Sequence, residues 1–307
     1  MIQLKELTVR RDPVGGLVLD TVRWRRASPY DSDRLVILVH GFNVRQEAAT
    51  DSYVAFLRQL SVELGPVGSA KLPPVWAFHW PGDHPSRFFS KVTYSVRVPI
   101  AQMAGRLLGE LLMRLHSKQR VFLIGHSLGC RVLLEALVYM ANERVSRPDA
   151  GAEVSLTCLL AAAVPIECCT GDKEPYRHEV LTNTIHVLYS RNDYVLRFFF
   201  PGGQRQLGEN KGEAVGLHGL PLRRWIRAPD TGLFHKSYWK KPKSVSIVAR
   251  MIEPTLPRLQ SIRSLPVQEP AEPWTLDSRK LHKRSFGDDL DSGWNDCWST
   301  ADSIRAA

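Results

Sequence analysis

A single serine in a glycine-flanked turn is the part of this sequence best suited to chemistry. Ser127 stands in Gly125-His126-Ser127-Leu128-Gly129, directly after the apolar run at 121–124 and before a helical pattern. Small residues two positions before and after a serine permit the sharp strand-to-helix turn, called a nucleophile elbow, that exposes the hydroxyl above a sheet. The sequence therefore predicts that Ser127 is a nucleophile in acyl transfer.

A serine of this kind needs a base within hydrogen-bond reach and an acid that orients the base, because its hydroxyl is a weak nucleophile at neutral pH. Where the serine lies on an elbow, the acid and then the histidine follow it along the chain. Asp193 comes just after the predicted strand 184–190, and His235 lies in a loop that leads into the last helical pattern. We therefore predict that Asp193 and His235 complete a triad with Ser127.

Three other residues compete for these two roles. Asp172 and Asp230 are the alternative acids, and His218 is the alternative base. Aspartates in turns and histidines on surfaces are also common for reasons of local structure alone. Position along the chain favours the predicted triad, and at the level of the sequence the alternatives stay open.

Attack by a serine places negative charge on the carbonyl oxygen, so backbone N–H groups must already point at that oxygen. The amide of Leu128 directly follows the nucleophile at the start of its helix. The loop after the apolar run at 35–39 begins with His40-Gly41-Phe42-Asn43. We expect the amides of Leu128 and Phe42 to form the oxyanion hole.

Alternating strands and helices must position these residues. The continuous apolar run at 35–39 is typical of a strand covered on both faces, and further strand patterns occur at 75–80, 121–124, 154–164 and 184–190. Apolar residues recur at helical spacing at 47–64, 99–116, 128–141 and 244–252. Alternation at 2–10 and 17–25, divided by Gly15-Gly16, predicts an antiparallel hairpin at a sheet edge.

The predicted fold class is therefore α/β, with a doubly wound, mainly parallel sheet, an N-terminal antiparallel hairpin and an irregular C-terminal tail. In such sheets the working groups gather at the carboxyl ends of the strands. Several side chains at or near predicted strand ends are therefore candidates for substrate binding. They are His40, His79, Trp80, His126 and Phe199.

The composition changes near residue 254. Five prolines interrupt every possible helix in residues 254–307, and the remainder of that segment is polar, acidic and rich in serine. We predict a folded domain at 1–253 and a largely disordered tail at 254–307. Isolated tryptophans in the tail, Trp274, Trp294 and Trp298, suggest that it docks on the domain or on a partner.

The formal charge is +10, and the surplus of basic residues lies in 1–253, since residues 254–307 contain seven basic and eight acidic residues. Such a surface raises the affinity for anionic partners in general. Basic clusters interleave with tryptophans in Arg23-Trp24-Arg25-Arg26 and in 236–243, a pattern that fits peripheral contact with an anionic membrane. Specific nucleic-acid binding is not predicted, because the sequence contains no groove-reading module.

Location and cofactors follow from simpler features. The sequence contains no long uninterrupted apolar segment and no secretory signal at its start, so a cytoplasmic protein is expected. Its five cysteines are odd in number and lack C-x-x-C spacing, which argues against a disulfide framework or a zinc site. Triad chemistry needs neither a metal nor an organic cofactor, and none is predicted.

Five segments, taken in order, resemble signatures of the alpha/beta-hydrolase superfamily. They are Val39-His40-Gly41-Phe42-Asn43, Phe78-His79-Trp80-Pro81-Gly82, the elbow with Cys130-Arg131-Val132-Leu133, Asn192-Asp193, and His235-Lys236-Ser237-Tyr238. They are most similar to a bacterial branch described as a domain of unknown function, with V-H-G-F/Y-N, F-x-W-P and G/A-H-S-L/M-G motifs.

The resemblance spans residues 33–252 and implies a serine hydrolase whose triad is Ser127, Asp193 and His235. It supplies no substrate. The chain departs from the branch at His79, where relatives often carry serine, and in its long tail. Both departures affect the expected shape of the acyl pocket.

The sequence thus predicts a carboxylic ester hydrolase that works through an acyl-serine intermediate. Aromatic residues after strand ends suggest apolar walls and a small or lipid-like ester; they are Trp80, Phe88, Phe89, Tyr94 and 198–200. Two alternatives remain. One is a non-catalytic, hydrolase-like protein that recruits a partner, and the other is an acyltransferase or amidase that uses the same triad.

Overall fold

The computed structural model consists of one mixed sheet with helices on both faces. It describes residues 4–10, 19–25, 28–83, 94–170, 176, 185–207, 212–220, 225–227 and 230–256. All of them belong to the unit Met1–Arg258. Nearly all of the predicted tail at 254–307, with its three tryptophans, lies outside the described residues, so its disorder and docking stay predictions.

The described strands are β1 Leu4–Arg10, β2 Leu19–Arg25, β3 Arg34–Val39, β4 Val75–His79, β5 Arg120–His126, β6 Glu153–Leu160, β7 Ile185–Leu188 and β8 Trp225–Arg227. They form one sheet in the order β2-β1-β4-β3-β5-β6-β7-β8. β1 and β2 pair antiparallel, and every other neighbouring pair is parallel. The predicted mainly parallel sheet with an antiparallel hairpin at its edge is confirmed.

The described helices are α1 Gln46–Ala70, α2 Tyr94–Arg114, α3 Gly129–Ser146, α4 Glu167–Thr170, α5 Phe200–Gln206, α6 Val215–His218 and α7 Pro242–Ile252. A π-helical turn at Val195–Phe199 precedes α5, and 3-10 turns occur at Pro29–Asp31, His235–Ser237 and Glu253–Thr255. Among these helices, none is long and apolar enough to cross a bilayer.

Two helix pairs cover opposite faces of the sheet and explain its continuous apolar strands. α2 packs on α3, and α1 packs on α7. Val121 and Leu123 of β5 belong to the core that includes α2 and α3, whereas Phe122 and Ile124 belong to the core that includes α1 and α7. All four side chains are fully buried. Because both faces of the strand are covered, a polar side chain on either face would be buried at a cost in free energy. The predicted doubly wound arrangement is confirmed.

A kink in α1 marks the place where the helical pattern of the sequence stops. Gly65 has φ +65°, outside helical geometry, and Pro66 follows it. Proline has no N–H to donate and clashes with the preceding turn, while glycine accepts a positive φ without strain. The helix predicted over 47–64 therefore ends at this kink, and helical geometry then resumes up to Ala70.

The parallel register brings several strand ends to one edge of the sheet. Val39 at the end of β3 pairs with Phe78 near the end of β4 and with Gly125 near the end of β5. Loops that leave these strands therefore begin side by side. This edge is the one at which the predicted catalytic residues are expected.

The close crossing of α2 and α3 depends on Gly105. A Cβ added at Gly105 would lie 2.4 Å from the Cβ of Glu135 and 2.5 Å from the carbonyl oxygen of Val132. Gly202 in α5 is a matched control, since a Cβ added there meets nothing within 4 Å. Both positions are helical, so alanine brings a similar gain in helix propensity to each.

We expect Gly105→Ala to lower the free energy of unfolding by about 2 kcal/mol, because the two helices must move apart to admit the methyl group. Gly202→Ala should leave stability unchanged or raise it slightly. Urea denaturation of the two variants and the parent measures the difference. Equal stability of the two variants would contradict the close crossing.

Candidate active site

Ser127 connects β5 to α3 in a strained backbone conformation. Its φ is +54°, a left-handed value that is costly for a residue with a side chain and that is concentrated at functional sites. Its N–H donates to the carbonyl of Leu160 at 2.9 Å, and its own carbonyl accepts from the amides of Cys130 at 3.0 Å and Ala163 at 3.2 Å. Neighbouring segments thus hold the turn in place, and the local geometry is that of the predicted elbow.

Two glycines allow the end of β3 to approach the elbow closely. A Cβ at Gly129 would lie 2.3 Å from the carbonyl oxygen of His40, and a Cβ at Gly41 would lie 2.8 Å from the Cβ of Ser127. Neither position has room for a side chain. The contact therefore places the loop that contains Phe42 beside the nucleophile.

The structure brings the three predicted triad residues together. Nε2 of His235 is 2.9 Å from Oγ of Ser127, and Nδ1 of His235 is 2.7 Å from Oδ2 of Asp193. The exposed fractions of Ser127, Asp193 and His235 are 6%, 0% and 7%. Because the carboxylate can only accept, Nδ1 carries the proton and donates, which leaves Nε2 free to accept from the serine hydroxyl.

A second bond fixes the carboxylate of Asp193. Its Oδ1 accepts from the amide of Leu196 at 3.0 Å, and its own amide donates to the carbonyl of Ser190 at 3.2 Å. Asp193 thus lies just before the π-helical turn, where the first backbone N–H groups have no acceptor within the helix. With one oxygen held by the backbone, the other oxygen faces His235.

The loop of His235 is held by hydrogen bonds upstream of the histidine and at its own carbonyl. Upstream, the amide and hydroxyl of Thr231 both donate to the carbonyl of Tyr189, at 3.0 and 2.8 Å. His126, next to the nucleophile, donates from Nε2 to the carbonyl of His235 at 2.8 Å. His126 thus contacts the backbone of the base, and its contact with a substrate stays a prediction.

Two of the three alternative triad residues, His218 and Asp230, make other contacts in the structure. The side chain of His218 is 41% exposed, and its Nε2 is 3.7 Å from a carboxylate oxygen of Glu213. Asp230 accepts from the amide of Gly232, in a local turn. Asp172 lies outside the described residues.

Both amides proposed for the oxyanion hole are available. Among the described residues, the N–H groups of Phe42 and Leu128 donate to no other protein group. The next residue, Asn43, has φ +57° and donates from its amide to the carbonyl of Gly82 at 2.6 Å. This turn orients the loop, and the role of the two amides stays a prediction.

His40, His79 and Trp80 form a buried layer behind this loop. All three are at most 1% exposed. The rings of His40 and Trp80 are stacked with centroids 5.6 Å apart, and the indole N–H of Trp80 donates to the carbonyl of His40 at 2.8 Å. The layer supports the backbone where β3 ends. The predicted substrate contacts of these three residues stay predictions.

A buried ion pair that the sequence did not suggest holds the loop after β4. NH1 of Arg10 is 2.6 Å from Oδ1 of Asp83, and both side chains are nearly completely buried. NH1 of Arg10 also donates to the carbonyl of Trp80, and NH1 of Arg97 donates to that of Pro81, each at 3.3 Å. The pair is separated by 73 residues and has no periodicity, so nothing in the sequence pattern connects the two residues.

Aromatic rings lie beside the proposed oxyanion loop. The ring of Phe42 meets that of Tyr94 edge-on at 5.6 Å, and Tyr94 meets Phe200 at 6.2 Å. Phe199, predicted to bind substrate, lies in the π-helical turn and is 47% exposed. Phe88 and Phe89 lie outside the described residues.

Three histidines near the site are neutral at pH 7. Burial lowers the pKa of His40 to about 4 and the pKa values of His79 and His126 to about 3. Positive charge on a neighbouring histidine adds to the effect of burial, from His40 for His79 and from His235 for His126. Within the described ranges, no three or more histidine, cysteine, aspartate or glutamate side chains form a group that could hold a metal ion.

Comparisons with known proteins give a partial family match. A family described as "Protein of unknown function (DUF726)" matches residues 88–215, a segment that includes the elbow and Asp193 but not His235. No curated protein sequence matches the chain significantly.

Solved structures that are similar to the chain share little sequence with it. A candidate hydrolase of the alpha/beta superfamily from Xanthomonas campestris pv. campestris is 13% identical, with 72% of this chain and 98% of that chain covered and a TM-score of 0.36. A Pyrobaculum calidifontis esterase is 14% identical, with 76% and 79% covered and a TM-score of 0.36. A metagenomic carboxyl esterase is 12% identical, with 80% of each chain covered and a TM-score of 0.35.

The buried histidines predict how stability depends on pH. Because their folded pKa values lie below the ordinary value near 6.5, the unfolded chain binds more protons between that value and about 3. Stability is therefore lost as the pH falls through this window. Each buried histidine should contribute a loss of about 2 kcal/mol between pH 7 and pH 5.

The free energy of unfolding should fall between pH 7 and pH 5 by about 2 kcal/mol less in His79→Leu than in the parent chain. Neither ring nitrogen of His79 has a hydrogen-bond partner among the described residues, so leucine leaves no polar group behind. Tyr53→Phe is the control, since it alters the same cluster without a group that gains a proton in this window. Denaturant unfolding at pH 5 and pH 7 tests this, and an unchanged pH dependence in His79→Leu would refute it.

Proposed function

We propose that this protein is a serine hydrolase that cleaves carboxylic esters through an acyl-serine intermediate. The observation that carries the proposal is the continuous hydrogen-bonded chain from Ser127 through His235 to Asp193, with distances of 2.9 and 2.7 Å. Nucleophile, base and orienting acid lie in the geometry that this chemistry needs. The strained backbone of Ser127 supports the same interpretation.

In the first half of the reaction, Oγ of Ser127 attacks the ester carbonyl carbon while Nε2 of His235 accepts the hydroxyl proton. The imidazolium that forms is stabilised by the carboxylate of Asp193. The tetrahedral intermediate then collapses, the bond to the alcohol oxygen breaks, and His235 returns the proton to the leaving alcohol. In the second half, a water molecule attacks the acyl-serine by the same steps and releases the acid.

The amides of Phe42 and Leu128 would bind the oxygen that becomes negatively charged. Their availability among the described residues and the contact between Gly41 and Ser127 support this assignment. Preformed donors of this kind need no rearrangement during attack, and one of them typically contributes a factor of about 10²–10³ to the rate.

An apolar acyl group fits the surroundings of the loop better than a charged one. Phe42, Tyr94 and Phe200 lie in edge-on contact, and Phe199 is half exposed in the adjacent turn. Aromatic walls of this kind favour hydrocarbon, because burial of each methylene group stabilises binding by about 0.8 kcal/mol.

We predict that Ser127→Ala abolishes labelling by a fluorophosphonate probe and lowers kcat for p-nitrophenyl ester hydrolysis by a factor on the order of 10⁴–10⁶. Removal of the nucleophile leaves only the background that binding and the oxyanion donors supply. Ser146→Ala is the control, because Ser146 is exposed at the end of α3. Labelling that persists in Ser127→Ala, or disappears equally in Ser146→Ala, would refute the assignment.

A second prediction concerns the acyl chain. We expect kcat/KM to be higher for p-nitrophenyl octanoate than for the acetate, and Phe199→Ala to lower only the octanoate value, by roughly 10-fold. Phe198→Ala is the matched control, since this neighbour is 69% exposed in the same turn. Equal losses for both esters would show that Phe199 does not contact the acyl chain.

A further inference from the structure

Exposed aromatic side chains are concentrated at the rim of the triad. We define the aromatic rim as Tyr194, Phe198, Phe199 and Phe234, whose exposed fractions are 45%, 69%, 47% and 63%. Tyr194 directly follows Asp193, Phe198 and Phe199 lie in the π-helical turn that comes next, and Phe234 directly precedes His235. Because Asp193 and His235 are hydrogen-bonded, the two segments lie next to each other around the site.

This exposure is particular to the rim. Among the described residues, the other strongly exposed large hydrophobic side chains are Tyr30, Val62, Val67, Val96, Met103 and Val145, and only Tyr30 is aromatic. Single exposed aliphatic residues are ordinary on a protein surface. Four exposed aromatic rings in the two segments beside one site are unusual in this way, and exposed apolar surface of this kind marks interaction sites.

The same two segments carry positive charge. We define the basic rim as the exposed residues Arg191, Arg197, Lys236, Lys240, Lys241 and Lys243. Within the described ranges 191–207 and 231–243, Asp193 is the only acidic residue, and it is fully buried. These two segments thus combine exposed apolar and cationic side chains, and no carboxylate is exposed within the two ranges.

We propose that the aromatic and basic rims together dock on an anionic lipid bilayer, so that the site opens toward the membrane. Aromatic side chains favour the interface between headgroups and hydrocarbon. Each cation near an anionic surface raises the affinity by about five-fold. The charge of the rim is complementary to such a surface, and the rings supply the apolar part of the contact.

Docking itself does not require catalysis. Its consequence, that the ester is a lipid drawn from that membrane, rests on the proposed function. A bilayer would supply a long acyl chain directly at the aromatic wall that Phe42, Tyr94 and Phe200 form. The experiment therefore separates docking from hydrolysis.

The test measures sedimentation of the full chain carrying Ser127→Ala, which cannot consume the lipid, with two kinds of vesicle. One contains phosphatidylcholine alone, and the other contains equal parts of phosphatidylcholine and phosphatidylglycerol. We expect binding to the anionic vesicles, weaker binding to the neutral ones, and a loss of affinity as the salt concentration rises.

Two paired variants, each made in the Ser127→Ala chain, test the two rims. Phe198→Ser with Phe234→Ser should lower the affinity at least 10-fold, because two apolar contacts are lost. Lys240→Gln with Lys241→Gln should lower it roughly 30-fold.

The control residues lie near the amino ends of the strands, opposite the carboxyl ends at which the proposed site lies. Val145 is 87% exposed at the far end of α3, and Lys118 is exposed just before β5. Val145→Ser and Lys118→Gln should leave vesicle binding unchanged.

Several outcomes would overturn the proposal: no binding to anionic vesicles, equal losses in the rim and control variants, or a dimer in solution that only the Phe198→Ser/Phe234→Ser pair dissociates. The last result would assign the rim to a second copy of this chain.

Chains with an intact Ser127 and the same rim substitutions should hydrolyse a soluble acetate ester at the parent rate. If vesicle binding holds while the parent chain hydrolyses no ester, docking stands and the proposed function falls. If the parent chain hydrolyses esters but the protein does not bind vesicles, only the docking proposal is refuted.

Discussion

The hydrogen bond between Asp193 and His235 is the interaction on which the rest of the site depends. It joins the loop after β7 to the loop before α7, two segments that approach each other only in the folded chain. A fully buried carboxylate is tolerated because it receives two donors, the imidazole and the amide of Leu196. The loss of either donor would leave the buried negative charge with one donor in place of two. The same bond therefore stabilises the fold and orients the base.

A second constraint is the close backbone contact between the end of β3 and the elbow. The contact needs glycine on both sides, at Gly41 and Gly129. Buried side chains support it, since the indole of Trp80 donates to the carbonyl of His40 and Arg10 pairs with Asp83 behind the next loop. Rigid support of this kind would fix the proposed oxyanion loop before a substrate binds. In this way the strain at Ser127 is balanced by packing and hydrogen bonds remote from it.

Much of the fold could be predicted from the sequence, because parallel strands buried on both faces produce long apolar runs and the helices between them are amphipathic. Ser127 could be predicted from a local motif, whereas Asp193 was predicted from its position after a strand and His235 from its position in the loop before the last helix. The three residues of β8 are too few to show periodicity, and the π-helical turn has no characteristic spacing. The sequence placed His40, His79 and Trp80 near strand ends, but it could not show that they are buried behind the loop, since that depends on how neighbouring strands pack.

The neutral state of His126 matters for the chemistry next to it. Its ring centroid is 5.0 Å from that of His235, so a positive charge on His126 would oppose the charge that His235 would acquire as the proposed general base. Burial keeps the pKa of His126 at about 3, and the ring therefore donates a hydrogen bond to the backbone of His235 without adding charge. The cations of the basic rim are exposed, where water and salt screen them. The structure thus combines exposed basic residues with a site in which the imidazolium of the proposed reaction, formed on His235, would have a carboxylate in direct contact and a neutral imidazole as its neighbour.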